Sequence, residues 1–237
     1  MDVPATEPTP IPPPNGDATG HRARLRRRLF EGGGDALLDH ELIEYLLALA
    51  IPRRDTKPLA KALLREFGGI GGLLAADGEA LARVPGMGET SAAAIKIAHA
   101  AALRLLRAEV MERPVLSNWQ ALLDYLRADM AHHGVERVRV LHLDSRNRLL
   151  RDELMSEGTI DEAALYAREV IRRAIDLKST GIILVHNHPS GDASPSRADI
   201  DVTRAIADAG KRLGIALHDH IIIAAGGHVS LRAQGLI

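Results

Sequence analysis

The repeat pattern of the apolar residues changes at Arg113-Pro114, and this change divides the chain into two parts of different type. From Leu37 to about Arg107, apolar residues recur every three to four positions, which predicts helices throughout. Beyond the proline, short apolar strands alternate with helical stretches, which is typical of a three-layer α/β domain with a mixed sheet. The predicted fold is therefore an all-helical domain at 21–112 followed by an α/β domain at 115–237.

The first twenty residues differ from both parts. Residues 1–20 carry six prolines and almost no large apolar side chain. Such a segment buries too little surface to offset its ordering entropy, so we expect a disordered tail. It also lacks the basic stretch followed by an apolar core that a secretion signal needs, and no apolar run in the chain approaches a membrane span. We therefore expect a cytoplasmic protein with no membrane partner.

Composition limits the chemistry that is available. The sequence has 30 Lys and Arg against 31 Asp and Glu, a net charge of -1, which gives no general support to tight nonspecific binding of nucleic acid. It contains no cysteine. This excludes disulfides, thiolate zinc sites and cysteine nucleophiles, so any metal must be held by His, Asp or Glu.

A helix-hairpin-helix is predicted inside the helical domain. The turn Pro85-Gly86-Met87-Gly88 separates a short helix from a long alanine-rich one. Gly86 and Gly88 would let a DNA phosphate approach backbone amides at a helix N-terminus, and the five arginines between Arg22 and Arg28 could add phosphate contacts. Glu89 opposes this interpretation because it adds a negative charge at the turn. The alternatives are a purely structural hairpin and a solvated helix face.

The segment GIILVHNHPSGDASPSRADID contains the residues that indicate a metal site. Strand alternation places His186 and His188 on one face, about 6.6 Å apart along the backbone, and Pro189 ends the strand. Asp199 falls in the first turn of the next helix and can turn back toward the two imidazoles. Three such ligands leave a fourth tetrahedral position on zinc for water, which is typical of a catalytic site. Ser196-x-x-Asp199 is also a helix capping box in form, and both roles can coexist.

This constellation resembles a known family. His186-Asn187-His188, seven residues, and then Ser196-x-x-Asp199 match the JAMM motif of the MPN metalloprotease fold. The longer string HNHPSGDASPSRADI and the hairpin region ahead of it resemble the bacterial RadC family, also called UPF0758. The resemblance covers about residues 20–237 and implies a three-layer domain of the MPN, cytidine deaminase-like kind.

The resemblance also implies roles for individual residues. It makes His186, His188 and Asp199 the ligands of Zn²⁺, and Ser196 a group that supports the oxyanion of the transition state. The family has a glutamate on an early strand beside the metal, and the best match is Glu136 because it opens the first strand of this domain. Three other glutamates compete for that role: Glu153, Glu157 and Glu169.

Two histidine pairs lie outside the motif. His218-Asp219-His220 repeats the H-x-H spacing without a matching carboxylate downstream, so we interpret its histidines as structural or as supports of the metal ligands. His132-His133 precede Gly134 and are interpreted as loop residues.

Together the patterns predict a zinc-dependent metallohydrolase of JAMM peptidase type that hydrolyses an amide bond in a peptide or protein substrate. Asn187 stands where eukaryotic isopeptidase members usually have Ser or Thr, which argues against ubiquitin-type substrates. The alternative is a DNA-binding protein associated with repair or recombination, including a nuclease, as the RadC label suggests. A third hypothesis is a scaffold that binds metal without catalysis.

Overall fold

The computed structural model describes residues 16–158 and 165–237. Most of the predicted tail at 1–20 lies outside this range. The first helix begins at Gly16 and so includes the last five residues of that segment. The last proline of the segment is Pro14, before the helix begins. The expectation of a disordered tail stays a prediction.

Helices form the N-terminal part, as predicted. Their bounds are α1 Gly16–Gly32, α2 Asp39–Ala50, α3 Lys57–Glu66, α4 Ile70–Ala75, α5 Gly78–Arg83 and α6 Glu89–Glu112. The residues between α5 and α6 form the hairpin, in which Gly86 has a φ of 95° that favours glycine. Leu47, Leu63 and Ile95 are buried in the apolar core that α2 to α6 share.

The C-terminal part is a mixed five-stranded sheet with helices on both faces, which confirms the predicted α/β class. Its elements are α7 Trp119–Met130, β1 Glu136–Leu143, β2 Leu149–Gly158, α8 Ala167–Asp176, β3 Gly181–Asn187, α9 Arg197–Arg212, β4 Ala216–Ala224 and β5 Gly227–Ser230. The strand order is β2-β1-β3-β4-β5. Only β3 and β4 run parallel among the paired strands of the described residues, and α9 connects them.

Alternating residues of the central strands explain the three layers. Ile183 and Val185 of β3 pack with α7 on one face of the sheet. Ile182 and Leu184 of the same strand pack with α8 and α9 on the other face. Because both faces are covered, β3 is buried along its whole length.

Helix α6 belongs to both parts of the molecule. Near its start, Ile95 is buried in the core of the helical part. Near its end, Val110 is buried in the core that α7 forms with the sheet. The helix ends at Glu112, before Pro114. The division of the chain into domains near this proline stays a prediction, since one continuous helix contributes to both cores.

Within residues 16–158 and 165–237, no helix combines the length and the apolar character that crossing a bilayer requires.

The contact between α7 and the sheet gives a test of the layered packing. Leu126 is fully buried there, so Leu126→Ala is expected to lower the free energy of unfolding by about 2–5 kcal/mol through lost burial and a residual cavity. Urea unfolding followed by the fluorescence of Trp119, the single tryptophan, measures this. The control is Leu150→Ala, at a side chain that is 45% exposed, with an expected change within about 0.5 kcal/mol. Equal effects of the two variants would contradict the packing described here.

Candidate metal centre

Two histidines at the end of β3 and one aspartate at the start of α9 bring their ligand atoms together. The Nε2 atoms of His186 and His188 are 2.9 Å apart. The Asp199 carboxylate lies 3.3 Å from Nε2 of His186 and 3.7 Å from Nε2 of His188. One ligand atom from each residue lies within 4.8 Å of the others.

The donor set fits a zinc ion. Ligand atoms at about 2.0–2.2 Å from a tetrahedral zinc are about 3.3–3.6 Å from one another, close to the separations found here. The side chain of His186 is only 1% exposed, whereas those of His188 and Asp199 are 17% and 16% exposed. The cluster is therefore held from the inside of the fold and open on its outer side.

A hydrogen bond fixes which nitrogen of His188 carries a proton. Its Nδ1 lies 2.8 Å from the backbone carbonyl of Asp192, which can only accept, so Nδ1 donates. In the neutral ring, Nε2 then carries a lone pair that faces the cluster. The hydrogen bond with Asp199 raises the pKa of His188, and burial opposes this increase. The site thus attracts positive charge at Nε2, where either a proton or a metal ion can meet the carboxylate.

The capping box at the start of α9 holds the Asp199 carboxylate. The backbone amide and the hydroxyl of Ser196 both donate to Oδ2 of Asp199, at 2.8 and 2.6 Å, and the amide of Asp199 donates back to the hydroxyl oxygen. Burial raises the pKa of Asp199, but the nearby histidines and these hydrogen bonds outweigh it and hold the pKa below its ordinary value. Oδ1 remains directed toward His186. The capping role and the ligand geometry coexist in one side chain.

Glu136 lies beside the cluster because of the register between two antiparallel strands. Val138 of β1 pairs with His186 of β3, the last pair of this ladder. Glu136 lies two residues before Val138, and its carboxyl is close enough to His188 and Asp199 to interact with their charges. Burial raises the pKa of Glu136, the positive charge of His188 opposes the increase, and the Asp199 carboxylate adds to it. A half-buried carboxylate with a raised pKa is a better proton acceptor than an ordinary glutamate.

The three competing glutamates pair with arginines instead. Glu153 is bonded to Arg173, Glu157 to Arg137 and Glu169 to Arg172. The assignment of Glu136 as the catalytic glutamate stays a prediction, and its placement next to His188 and Asp199 distinguishes it from these three.

Asn187 lies between the two histidines in the sequence, and its side chain is hydrogen-bonded to the backbone at the start of β1. Its side-chain oxygen accepts from the amide of Arg137 at 2.9 Å, and its side-chain nitrogen donates to the carbonyl of Val135 at 3.0 Å. These bonds flank Glu136 on both sides. In the sequence, Asn187 stands out only as a departure from the isopeptidase pattern, and no local signal predicts a contact across 50 residues.

The two histidines around Asp219 have different surroundings. His218 lies over Gly181, where an added Cβ would come within 2.3 Å of the ring, so this histidine packs against backbone. His220 is 2% exposed, and its Nε2 lies 2.7 Å from Nδ1 of His186. His218 therefore fits the structural alternative, and His220 fits the alternative of a residue that supports His186.

The predicted DNA-contacting residues of the helical part are engaged in internal contacts. The amide of Gly88 donates to the Ser91 hydroxyl and that of Met87 to the Val84 carbonyl. Lys96 donates to carbonyls at the end of α4, and Arg83 pairs with Glu79.

In the arginine run, the guanidinium of Arg28 is bonded to Glu41, and that of Arg22 to a backbone carbonyl of Arg54. Arg26 and Arg27 are exposed. The Arg54 guanidinium lies against Gly86. It places a cation near the hairpin that the sequence pattern did not predict. The DNA-binding hypothesis thus stays a prediction, with fewer available donors than the sequence suggested.

Comparison with known protein families adds an independent finding. Residues 116–236, slightly more than half of the chain, match the family described as RadC-like JAB domain. Residues 18–93 match the family described as UPF0758 N-terminal. The two matches follow each other along the chain and include the ligand cluster and the hairpin, respectively. The chain therefore belongs to the RadC family, with a UPF0758 N-terminal region ahead of a JAB domain.

Proposed function

We propose that this protein is a zinc-dependent hydrolase of JAMM peptidase type that cleaves an amide bond in a peptide or protein. The observation that carries the proposal is the convergence of two imidazole nitrogens and one carboxylate on a partly open site, with Glu136 beside it. A closed site with four protein ligands would favour a structural role, and three ligands with one open side favour catalysis.

Each residue of the site has a proposed role in the hydrolysis. His186, His188 and Asp199 would hold the ion, which supplies Lewis acidity and lowers the pKa of water to about 7. Glu136 would accept a proton from the attacking water and deliver it to the departing amine. The raised pKa of Glu136 supports the first transfer, because a more basic carboxylate accepts a proton more readily.

Two proposed roles compete for the hydroxyl of Ser196: orientation of Asp199 and support of the oxyanion. In this structure the hydroxyl donates to Asp199, so it orients a ligand. Support of an oxyanion by the same hydroxyl would require it to turn from the carboxylate toward the substrate. Ser196 is exposed at the helix start and its backbone amide also donates to Asp199, so the carboxylate keeps one bond when the hydroxyl turns.

Loss of a ligand is expected to remove the metal. Purified wild-type protein should contain about one zinc per chain, and His186→Ala or Asp199→Ala should reduce this to background, since two remaining ligands bind zinc weakly. Elemental analysis by plasma mass spectrometry measures the content. His228→Ala is the matched control because this histidine is exposed on β5. Wild-type protein without zinc after exposure to it, or ligand variants that retain it, would contradict the proposal.

Loss of the base is expected to separate metal binding from catalysis. Glu136→Gln should keep its zinc and lose amide hydrolysis by about 10²–10⁴-fold, because the amide cannot accept the proton. Cleavage of a diverse peptide library, read by mass spectrometry of the new termini, measures the rate.

Glu157→Gln is the control for this experiment, since it removes a neighbouring carboxylate that pairs with Arg137. It should leave cleavage unchanged. A zinc-loaded wild type that leaves every peptide intact would overturn the peptidase proposal and favour the non-catalytic scaffold.

A further inference from the structure

We propose that Thr203 and His220 are positioning residues that fix the tautomer of His186, so that its Nε2 presents a lone pair to the metal. This inference rests on the proposed zinc site and adds two residues that the JAMM spacing does not include. Neither side chain is among the three that offer a ligand atom to the cluster. Both would act on the metal through His186.

The contacts form a single buried chain. Nδ1 of His186 lies 2.7 Å from Nε2 of His220, and Nδ1 of His220 lies 2.6 Å from the hydroxyl of Thr203. The Thr203 hydroxyl in turn donates to the backbone carbonyl of Asp199. His186, His220 and Thr203 are all at most 2% exposed. Water therefore does not compete for these hydrogen bonds.

The direction of every hydrogen bond in this chain follows from the last acceptor, the backbone carbonyl of Asp199. The Asp199 carbonyl has no proton to give, so the single proton of the Thr203 hydroxyl goes to it. The hydroxyl oxygen can then only accept, which makes Nδ1 of His220 a donor. A neutral His220 has its lone pair on Nε2 and accepts from Nδ1–H of His186. The remaining nitrogen of His186, Nε2, is left with a lone pair.

Burial supports the neutral form of both rings. An imidazolium at 1–2% exposure would lose nearly all of its hydration, which disfavours the charged form. With both rings neutral, the chain of bonds permits one arrangement of protons. The opposite tautomer of His186 would put a proton on Nε2, between His188 and Asp199, where the ion has to bind.

The two ligand histidines are thus oriented by different means. His188 donates directly to a loop carbonyl at Asp192. His186 donates through a side chain of β4 to a side chain of α9. Thr203 lies four residues after Asp199 on α9, so the helix that supplies the carboxylate ligand also anchors the tautomer of the buried histidine.

The experiment compares two pairs of matched variants. Thr203→Val removes the hydroxyl at nearly constant volume, and Thr203→Ser retains it. His220→Leu removes both ring nitrogens, and His220→Gln can still accept from His186 and donate to Thr203 with its amide group. Circular dichroism and thermal unfolding establish that each variant is folded before it is assayed.

The first readout is the zinc dissociation constant, measured by competition with a fluorescent chelator. We expect His220→Leu and Thr203→Val to weaken zinc binding by about 10–100-fold, the usual effect of losing a partner that orients a ligand. His220→Gln and Thr203→Ser should stay within a few-fold of wild type. Unchanged affinity in both His220→Leu and Thr203→Val, or equal losses in all four variants, would overturn the proposal.

The second readout does not need zinc. Ring ¹⁵N shifts of the metal-free protein report which nitrogen of each histidine carries the proton. His186 should be an Nδ1–H tautomer in wild type and a mixture in His220→Leu, and His188 should be unchanged as an internal reference. A wild-type protein that binds no zinc would defeat the proposed function, and the ¹⁵N shifts would still decide the tautomer. An Nε2–H tautomer of His186 in wild type would overturn the inference directly.

Discussion

The candidate site depends on holding two imidazole nitrogens and a carboxylate close together at the end of β3. Two nitrogens at 2.9 Å repel each other unless a cation or a proton lies in the gap. The fold imposes this arrangement from three elements: the end of β3 supplies the histidines, the start of α9 the carboxylate, and β1, which is distant in sequence, the adjacent Glu136. Burial of His186 makes its proton placement a property of the fold, because no solvent molecule can supply an alternative partner. The repulsion is an energetic cost that a bound divalent cation would remove.

The sequence predicted that His186, His188 and Asp199 come together because their spacing combines two local rules. Alternation along a strand places His186 and His188 on one face, and the capping position places Asp199 at the first turn of the following helix. Both rules act within fourteen residues and need no knowledge of the rest of the chain. The family matches and the three-layer sheet confirm the fold that was inferred from the change in apolar periodicity.

Contacts between residues on different strands could not be predicted from these local rules. The choice among four glutamates depends on the register between β1 and β3, which no local pattern determines. His220 has the same H-x-H spacing as the ligands, and only the parallel pairing of β3 with β4 brings it to Nδ1 of His186. The basic residues near the hairpin show the same limit, since a charge in the sequence does not reveal that Lys96 is already bonded to the carbonyls that end α4.

Helix α6 has a mechanical consequence for the molecule. From Ile95 to Val110 it spans about 22 Å at the ordinary helical rise, with one end fixed in each core. A flexible tether would let the two cores reorient independently, whereas an uninterrupted helix behaves as a stiff rod. Relative motion of the two cores would therefore require α6 to bend or one of its ends to leave the core in which it is buried.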